Sequence, residues 1–218
     1  MSLRAGIVGL PNVGKSTLFN AITNQKILAA NYPFATIEPN VGVVILPDDR
    51  LDYLNDLYNP KSLVPTSFEF TDIAGLVQGA AKGEGLGNKF LSHIREVDAI
   101  VEVVRCFEDN NITHVEGKID PIHDIEIIGL ELIFADLEVV ENRLNRIGKK
   151  AKMSNDKDTK MEVALLERIK NVLMDNKPIR SMEFTEEEEK FLKPFCFLTK
   201  KPIIYVANIN EDEITNGD

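Results

Sequence analysis

The run Gly9-Leu10-Pro11-Asn12-Val13-Gly14-Lys15-Ser16-Thr17 constrains this chain more than any other stretch. Gly9, Gly14, Lys15 and Ser16 fit GxxxxGK[ST], a loop whose backbone N–H groups cradle phosphates. Its flanks fit as well. Ala5 to Val8 form an apolar run that reads as a buried strand, and Leu18, Phe19 and Ile22 follow at helical spacing. Strand, glycine loop and helix is the order the motif requires. A triphosphate packs several negative charges into a small volume. Tight-loop N–H groups and the positive end of a helix surround such charges well. Glycine permits close approach and positive φ. Lys15 can bridge the outer phosphates, and the Ser16 hydroxyl can ligate Mg2+. The simpler alternative, a Gly-rich turn entering a helix, explains neither the four fixed residues nor their flanks.

Composition narrows the setting. The net charge of −10 over 218 residues argues against a protein that coats nucleic acid over its whole surface or reads DNA sequence, though a local basic patch is allowed. A hydrophobic content of 44% supports a sizeable core. No run reaches the roughly 18 apolar residues of a membrane span. Cys106 and Cys196 form no disulfide or metal pattern and read as buried thiols of a reducing compartment. The N-terminus reads as a core strand rather than a signal peptide, so the expected location is cytoplasmic.

Beyond a first helix at about 15–24, two prolines in residues 29–39 argue against helix. Thr36 lies there. It is either a solvent-facing loop hydroxyl or the threonine that completes a Mg2+ shell when a γ-phosphate draws a switch loop inward, and its place behind a P-loop favours the second. Strands are expected at 41–46 and 66–71, with a short helix at 49–57 between them. The second strand ends at Asp72-Ile73-Ala74-Gly75. This is DxxG: Asp72 would hold Mg2+ through a water, and the Gly75 N–H would meet the γ-phosphate. Leu76 follows, where switch proteins often place a water-orienting Gln, and an isobutyl group cannot hydrogen-bond water. The glycine-rich segment 78–88 reads as a second switch, a helix as 86–97 and a buried strand as 99–104. A polar loop, 108–120, then carries His114. By statistics a loop His is a surface residue. This one follows a strand whose carboxyl end should face the nucleotide crevice, which makes it a candidate for placing water or moving a proton. His93 and His123 have no such argument.

The longest helix is expected at 124–150, with two apolar stripes: Ile125, Ile128, Leu132, Ala135 and Val139, then Leu130, Ile133, Leu137, Val140, Leu144 and Ile147. Two stripes imply packing on two sides or a wide core face. A polar turn at 152–159 and a second helix at 160–174 complete a helical hairpin. Its tip carries Arg146, Lys149, Lys150, Lys152, Lys157 and Lys160, which reads as a solvated end or as a contact for RNA phosphates. Thr185 should cap a short acidic helix. A last apolar strand, 202–207, ends at Asn208-Ile209-Asn210-Glu211, where guanine-specific proteins carry Asn-Lys-x-Asp. The Asp of that motif accepts from guanine N1–H and the 2-amino group. Adenine lacks both donors. With Ile209 for the Lys and the acid displaced to Glu211, the guanine clamp is dismantled, and ATP is expected over GTP.

Taken together, segments 6–17, 31–42, 70–88, 104–118 and 207–212 resemble the YchF/Obg-like ATPase family over essentially the whole chain. The resemblance implies an α/β fold: a Ras-like P-loop domain with an inserted α-helical coiled-coil hairpin, divided as 1–121 and 195–218 for the nucleotide domain and 122–194 for the insert. It implies ATP contacts from Asn12, Val13, Gly14, Lys15, Ser16 and Thr17, with Ile209 near the base. Mg2+ would be held by Ser16 and Thr36. His114 matches the loop His proposed for hydrolysis in the absence of the catalytic Gln, and Asn12 matches the P-loop Asn of K+-stimulated relatives. Association with ribosomes and a role in translation are implied too. The family continues into the rest of the nucleotide domain and a TGS domain, so a partial chain is expected. The leading expectation is a slow Mg2+-dependent ATPase acting as a switch. The alternatives are a nucleotide-dependent binding module and a GTPase.

Overall fold

The computed structural model describes residues 2–24, 39–73, 86–109, 119–153 and 156–214. In chain order the elements are β1 (Leu3–Val8), α1 (Lys15–Thr23), β2 (Asn40–Ile45), α2 (Asp49–Tyr58), β3 (Ser67–Asp72), α3 (Leu86–Glu96), β4 (Ala99–Arg105), α4 (Pro121–Met153), α5 (Lys157–Met174), α6 (Glu186–Leu192), β5 (Ile203–Asn208) and α7 (Glu211–Ile214). The strands form one sheet in the order β2-β3-β1-β4-β5. Only the β2–β3 pair is antiparallel, with Val41 opposite Thr71 and Val43 opposite Glu69. β1, β3, β4 and β5 run parallel. The chain leaves central β1 toward β3 on one side and β4 on the other. The carboxyl ends of these strands therefore flank a topological switch point, where open α/β sheets bind ligands.

The apolar residues separate into two clusters. The first joins the sheet (Ala5, Ile7, Val8, Ile100, Val101, Val103) to Phe19 of α1, to Phe90, Leu91 and Ile94 of α3, and to Ile127, Ile128, Leu132 and Ala135 of α4. The second joins Ile133, Val140 and Ile147 of α4 to Leu165, Leu166, Ile169 and Leu173 of α5, with Ile179, Leu192 and Phe197. The two stripes expected on the long helix thus serve two cores in succession. α4 packs on the sheet with its first turns and on α5 with its later ones.

Capping explains several helix ends. Asp156 accepts from Thr159 N and starts α5 three residues earlier than apolar spacing suggests, so the turn between the hairpin helices is shorter than expected. Thr185 and Glu188 form the reciprocal capping box of α6. Arg143 holds Glu162 by two hydrogen bonds of 2.7 and 3.0 Å, and Lys170 reaches Glu141 at 2.7 Å, so charged pairs flank the apolar seam of the hairpin. The expectation of buried thiols is corrected: Cys106 is half-buried and Cys196 is exposed. Cys196 ends a short 3₁₀ turn at φ 48, a left-handed position at the surface, and its Sγ donates to the Lys193 carbonyl.

β4 carries an unexpected charge. Glu102, 1% exposed, faces the core, and its Oε1 has no hydrogen-bond partner among the described residues. Burial drives its carboxyl up to about 8, Arg180 opposes the rise and Asp124 adds to it. A folded-state value above the unfolded one means that the folded chain keeps a proton the unfolded chain has released. Stability therefore falls as pH rises from about 4.5 to about 8. Glu102→Gln removes this cost. Its urea-unfolding stability should exceed that of the parent by about 2 kcal/mol at pH 8, and the gap should shrink toward pH 5. A pH-independent difference would contradict the assignment.

Candidate nucleotide site

The site is built where β1 ends and α1 begins. Gly9 has φ 154, and a Cβ there would stand 2.5 Å from the Val103 carbonyl oxygen of β4. Gly14, the N-cap of α1, has φ 101 and faces the side chain of Asn208, whose Nδ2 would lie 2.5 Å from a Cβ. Both glycines of the motif are thus required by close approach as well as by backbone angle. Asn12 is left-handed too, at φ 63, a conformation asparagine tolerates. Val13 is buried and Thr17 is exposed.

Lys15 is 8% exposed, and its Nζ donates to the Leu10 carbonyl at 2.7 Å, so the ammonium lies inside the curl of its own loop. Burial lowers its pKa from 10.5 to about 8, and the negative charge of Asp72 opposes the fall. Asp72 ends β3, and its Oδ2 accepts from Ser16 Oγ at 2.8 Å. Burial raises the Asp72 carboxyl, while the Ser16 hydrogen bond and the Lys15 charge lower it. A hydroxyl and a carboxylate oxygen in contact, beside a lysine and under the N-terminus of a nine-residue helix, suit a divalent cation next to phosphate. Among the described residues no group of three or more His, Cys, Asp or Glu could hold a metal unaided.

One residue of the segment expected at the base attaches to this loop directly. Asn208, the last residue of β5, donates from Nδ2 to the Val13 carbonyl at 2.9 Å, and its own carbonyl accepts from Cys106 N at 2.8 Å. The Asn208 side-chain N–H thus serves the loop. Ile209 follows at 40% exposure. Glu213 caps α7 by accepting from Asn210 N at 2.8 Å, and Glu211 lies exposed in the first turn of that helix. Thr36, Gly75, Leu76 and His114 lie outside the described residues.

Sequence reasoning missed one contributor. Arg105, buried at the end of β4, donates from Nε to the Phe107 carbonyl and from Nη2 to the Asp109 carbonyl, both at 3.1 Å. Its guanidinium lies 4.6 Å from the centre of the Phe107 ring. It fixes the start of the loop that leads toward His114. An arginine directly after an apolar strand was the available signal.

The family model described as "50S ribosome-binding GTPase" matches residues 4–135. The chain is 63% identical over 216 residues to the "Ribosome-binding ATPase YchF" of Bacillus subtilis, covering 99% of this chain and 59% of that protein. It is 54% identical to the protein of the same name from Escherichia coli O157:H7, covering 60% of it. Among solved structures, "Structure of the Schizosaccharomyces pombe YchF GTPase" superposes with a TM-score of 0.79 at 44% identity, covering 99% of this chain and 58% of that one. The chain therefore spans about three-fifths of the length of the curated relatives it matches.

The buried ammonium sets up a trade-off. Lys15→Met keeps the stem and removes the charge. The variant should withstand more denaturant than the parent while its affinity for nucleoside triphosphate falls at least about 100-fold. Urea melts and fluorescent-nucleotide titration measure the two effects, and a variant that loses stability would contradict the burial argument.

Proposed function

The chain belongs to the 50S ribosome-binding GTPase family and, within it, to the YchF group, and we propose that it is the nucleotide-binding part of a ribosome-associated switch that hydrolyses ATP slowly. The observation that carries this reading is the contact of Ser16 Oγ with Asp72 Oδ2 beside the buried Lys15. Ser16 and Asp72, joined by Thr36, would hold Mg2+, which neutralises charge on the outer phosphates when bound. The remaining work falls to the chain itself. Residues 12–17 surround the phosphates with N–H groups and the α1 N-terminus. Lys15 exchanges the Leu10 carbonyl for phosphate oxygens and stabilises charge that develops in the transition state. Gly75 N–H meets the γ-phosphate. His114 orients the attacking water in place of the absent Gln. Asn12 is the residue through which K+ would assist.

The names of the relatives differ on the nucleotide, ATPase for the bacterial proteins and GTPase for the Schizosaccharomyces pombe one. Three features support ATP. Asn208 is engaged with the loop, Ile209 offers an apolar surface to a base, and the acid of the guanine clamp is displaced into the exposed first turn of α7. The ribosome contact is assigned to the basic end of the hairpin, where Arg146 and Lys157 are exposed and the side chains of Lys149, Lys150 and Lys152 lie outside the description. Association with ribosomes, if shared with the relatives of that name, would place the protein in the cytoplasm.

Competition between ATP and GTP on the intact protein tests the base assignment. ATP should bind at least about 10-fold tighter, and tighter GTP binding would overturn it. His114→Ala should bind ATP normally and hydrolyse it about 100-fold more slowly, the scale of a general acid–base group. Unchanged turnover would favour the second reading, a binding module whose partner contact depends on ATP and whose hydrolysis is incidental.

A further inference from the structure

One buried polar node joins the nucleotide side of the molecule to the helical hairpin. Asp136, 0% exposed, lies on α4 between Ala135, which packs in the sheet core, and Leu137, which packs in the hairpin core. Its carboxylate accepts from Leu198 N at 3.0 Å, Thr199 N at 2.7 Å and Thr199 Oγ1 at 2.8 Å. Thr199 in turn accepts at Oγ1 from Ile179 N and at its carbonyl from both Arg180 N and Arg180 Nη1. The fourth strand of the node comes from α3. Arg95 Nη1 stands 3.8 Å from Asp136 Oδ1 and donates to the Cys196 carbonyl at 3.4 Å. Lys201 Nζ caps the same helix end by donating to the Arg95 and Val97 carbonyls.

We propose that the Arg95–Asp136 ion pair couples α3 to the hairpin, so that a nucleotide-driven shift of α3 reorients the hairpin about Asp136. The proposal rests on the nucleotide reading above. α3 begins at Leu86, shortly after the Asp72-x-x-Gly75 segment, and in P-loop switches this is the segment that responds to the γ-phosphate. The α3 contacts in the core, from Phe90, Leu91 and Ile94, are apolar and non-directional, while Lys201 Nζ holds only the backbone at the end of the helix. The Arg95 side chain reaches two points beyond α3: it donates to the Cys196 carbonyl and sets its charge 3.8 Å from Asp136, in the stretch of α4 where the two cores overlap. Asp136 acts as a fulcrum: α4 runs on to Met153, ~25 Å further, so a pivot of ~10° carries the tip ~4 Å. Arg95 is also dispensable for anchoring. Three donors from residues 198–199 already hold Asp136, and the Arg95 side chain is 27% exposed, so the coupling can be cut while the anchor stays.

The test is hydrogen–deuterium exchange on the intact protein with and without Mg2+ and a non-hydrolysable ATP analogue, with binding read separately by fluorescent-nucleotide titration. In the parent, nucleotide should change exchange in α5 and in α4 beyond Asp136. In Arg95→Gln, nucleotide affinity should stay within about twofold, and the nucleotide-dependent change in the hairpin should fall by at least half. Arg95→Lys, which retains charge without the forked donors, should lie between. The coupling is overturned if Arg95→Gln keeps the full response, or if the parent binds nucleotide with no response in the hairpin. Failure of the parent to bind nucleotide would instead overturn the nucleotide reading.

Discussion

A lysine ammonium and an aspartate carboxylate, both largely withdrawn from water, lie near enough to feel each other's charge where the first loop passes the end of β3. Burial disfavours the charged form of each: it pulls Lys15 down and pushes Asp72 up, and each charge partly offsets the cost of the other. Such a pair persists only with its hydrogen bonds in place. The Leu10 carbonyl receives the ammonium, and the Ser16 hydroxyl donates to the carboxylate. Those two bonds dictate the curl of the loop, and the curl forces Gly9 and Gly14 into positions with no room for a Cβ. A cradle of this kind costs stability in isolation and is justified by the phosphate charge it is shaped to receive.

The loop is not held by its neighbours in sequence alone. Asn208 reaches it from the last strand, and the Asn208 carbonyl takes the Cys106 N–H from the strand beside it. The glycine loop and the end of β5 are therefore one hydrogen-bonded unit, even though the whole hairpin is inserted between β4 and β5. Asp136 makes that insertion tolerable. By binding Leu198 and Thr199 it returns the chain to the sheet just before β5 begins. The same residue lies where the two cores overlap along α4, so the anchoring of the insert and the mechanical connection proposed for it share one site.

Much of this was legible from residue order. The four fixed positions of the phosphate loop announced strand, loop and helix. The two stripes on the long helix announced packing on two sides or a wide core face, and Thr185 before an acidic run announced a capped helix start. Less legible were features whose cause lies far away in the chain. Asp136 sits beside apolar residues on both sides, and its partners are 62 and 63 residues distant, so no local pattern marks it as a buried anchor. Glu102 sits in a strand that otherwise reads as core, and only the sheet with α4 laid over it shows that this carboxyl is enclosed. The cysteines were misread because burial statistics for a residue type say nothing about a left-handed turn at the surface.

The sequence by itself determined the chemistry of the phosphate loop, since motif spacing and residue type dictate which groups can cradle phosphate and which carboxylate should stand opposite. It also determined the α/β order of elements, because periodicity is a local property of the chain. Tertiary structure decided the rest. It decided that Asn208 spends its amide on the loop, that Lys15 and Asp72 share a poorly hydrated site, and that one aspartate clasps the insert to the sheet. Each of these depends on residues brought together across long loops, and burial, which sets their energies, exists only once the chain has folded.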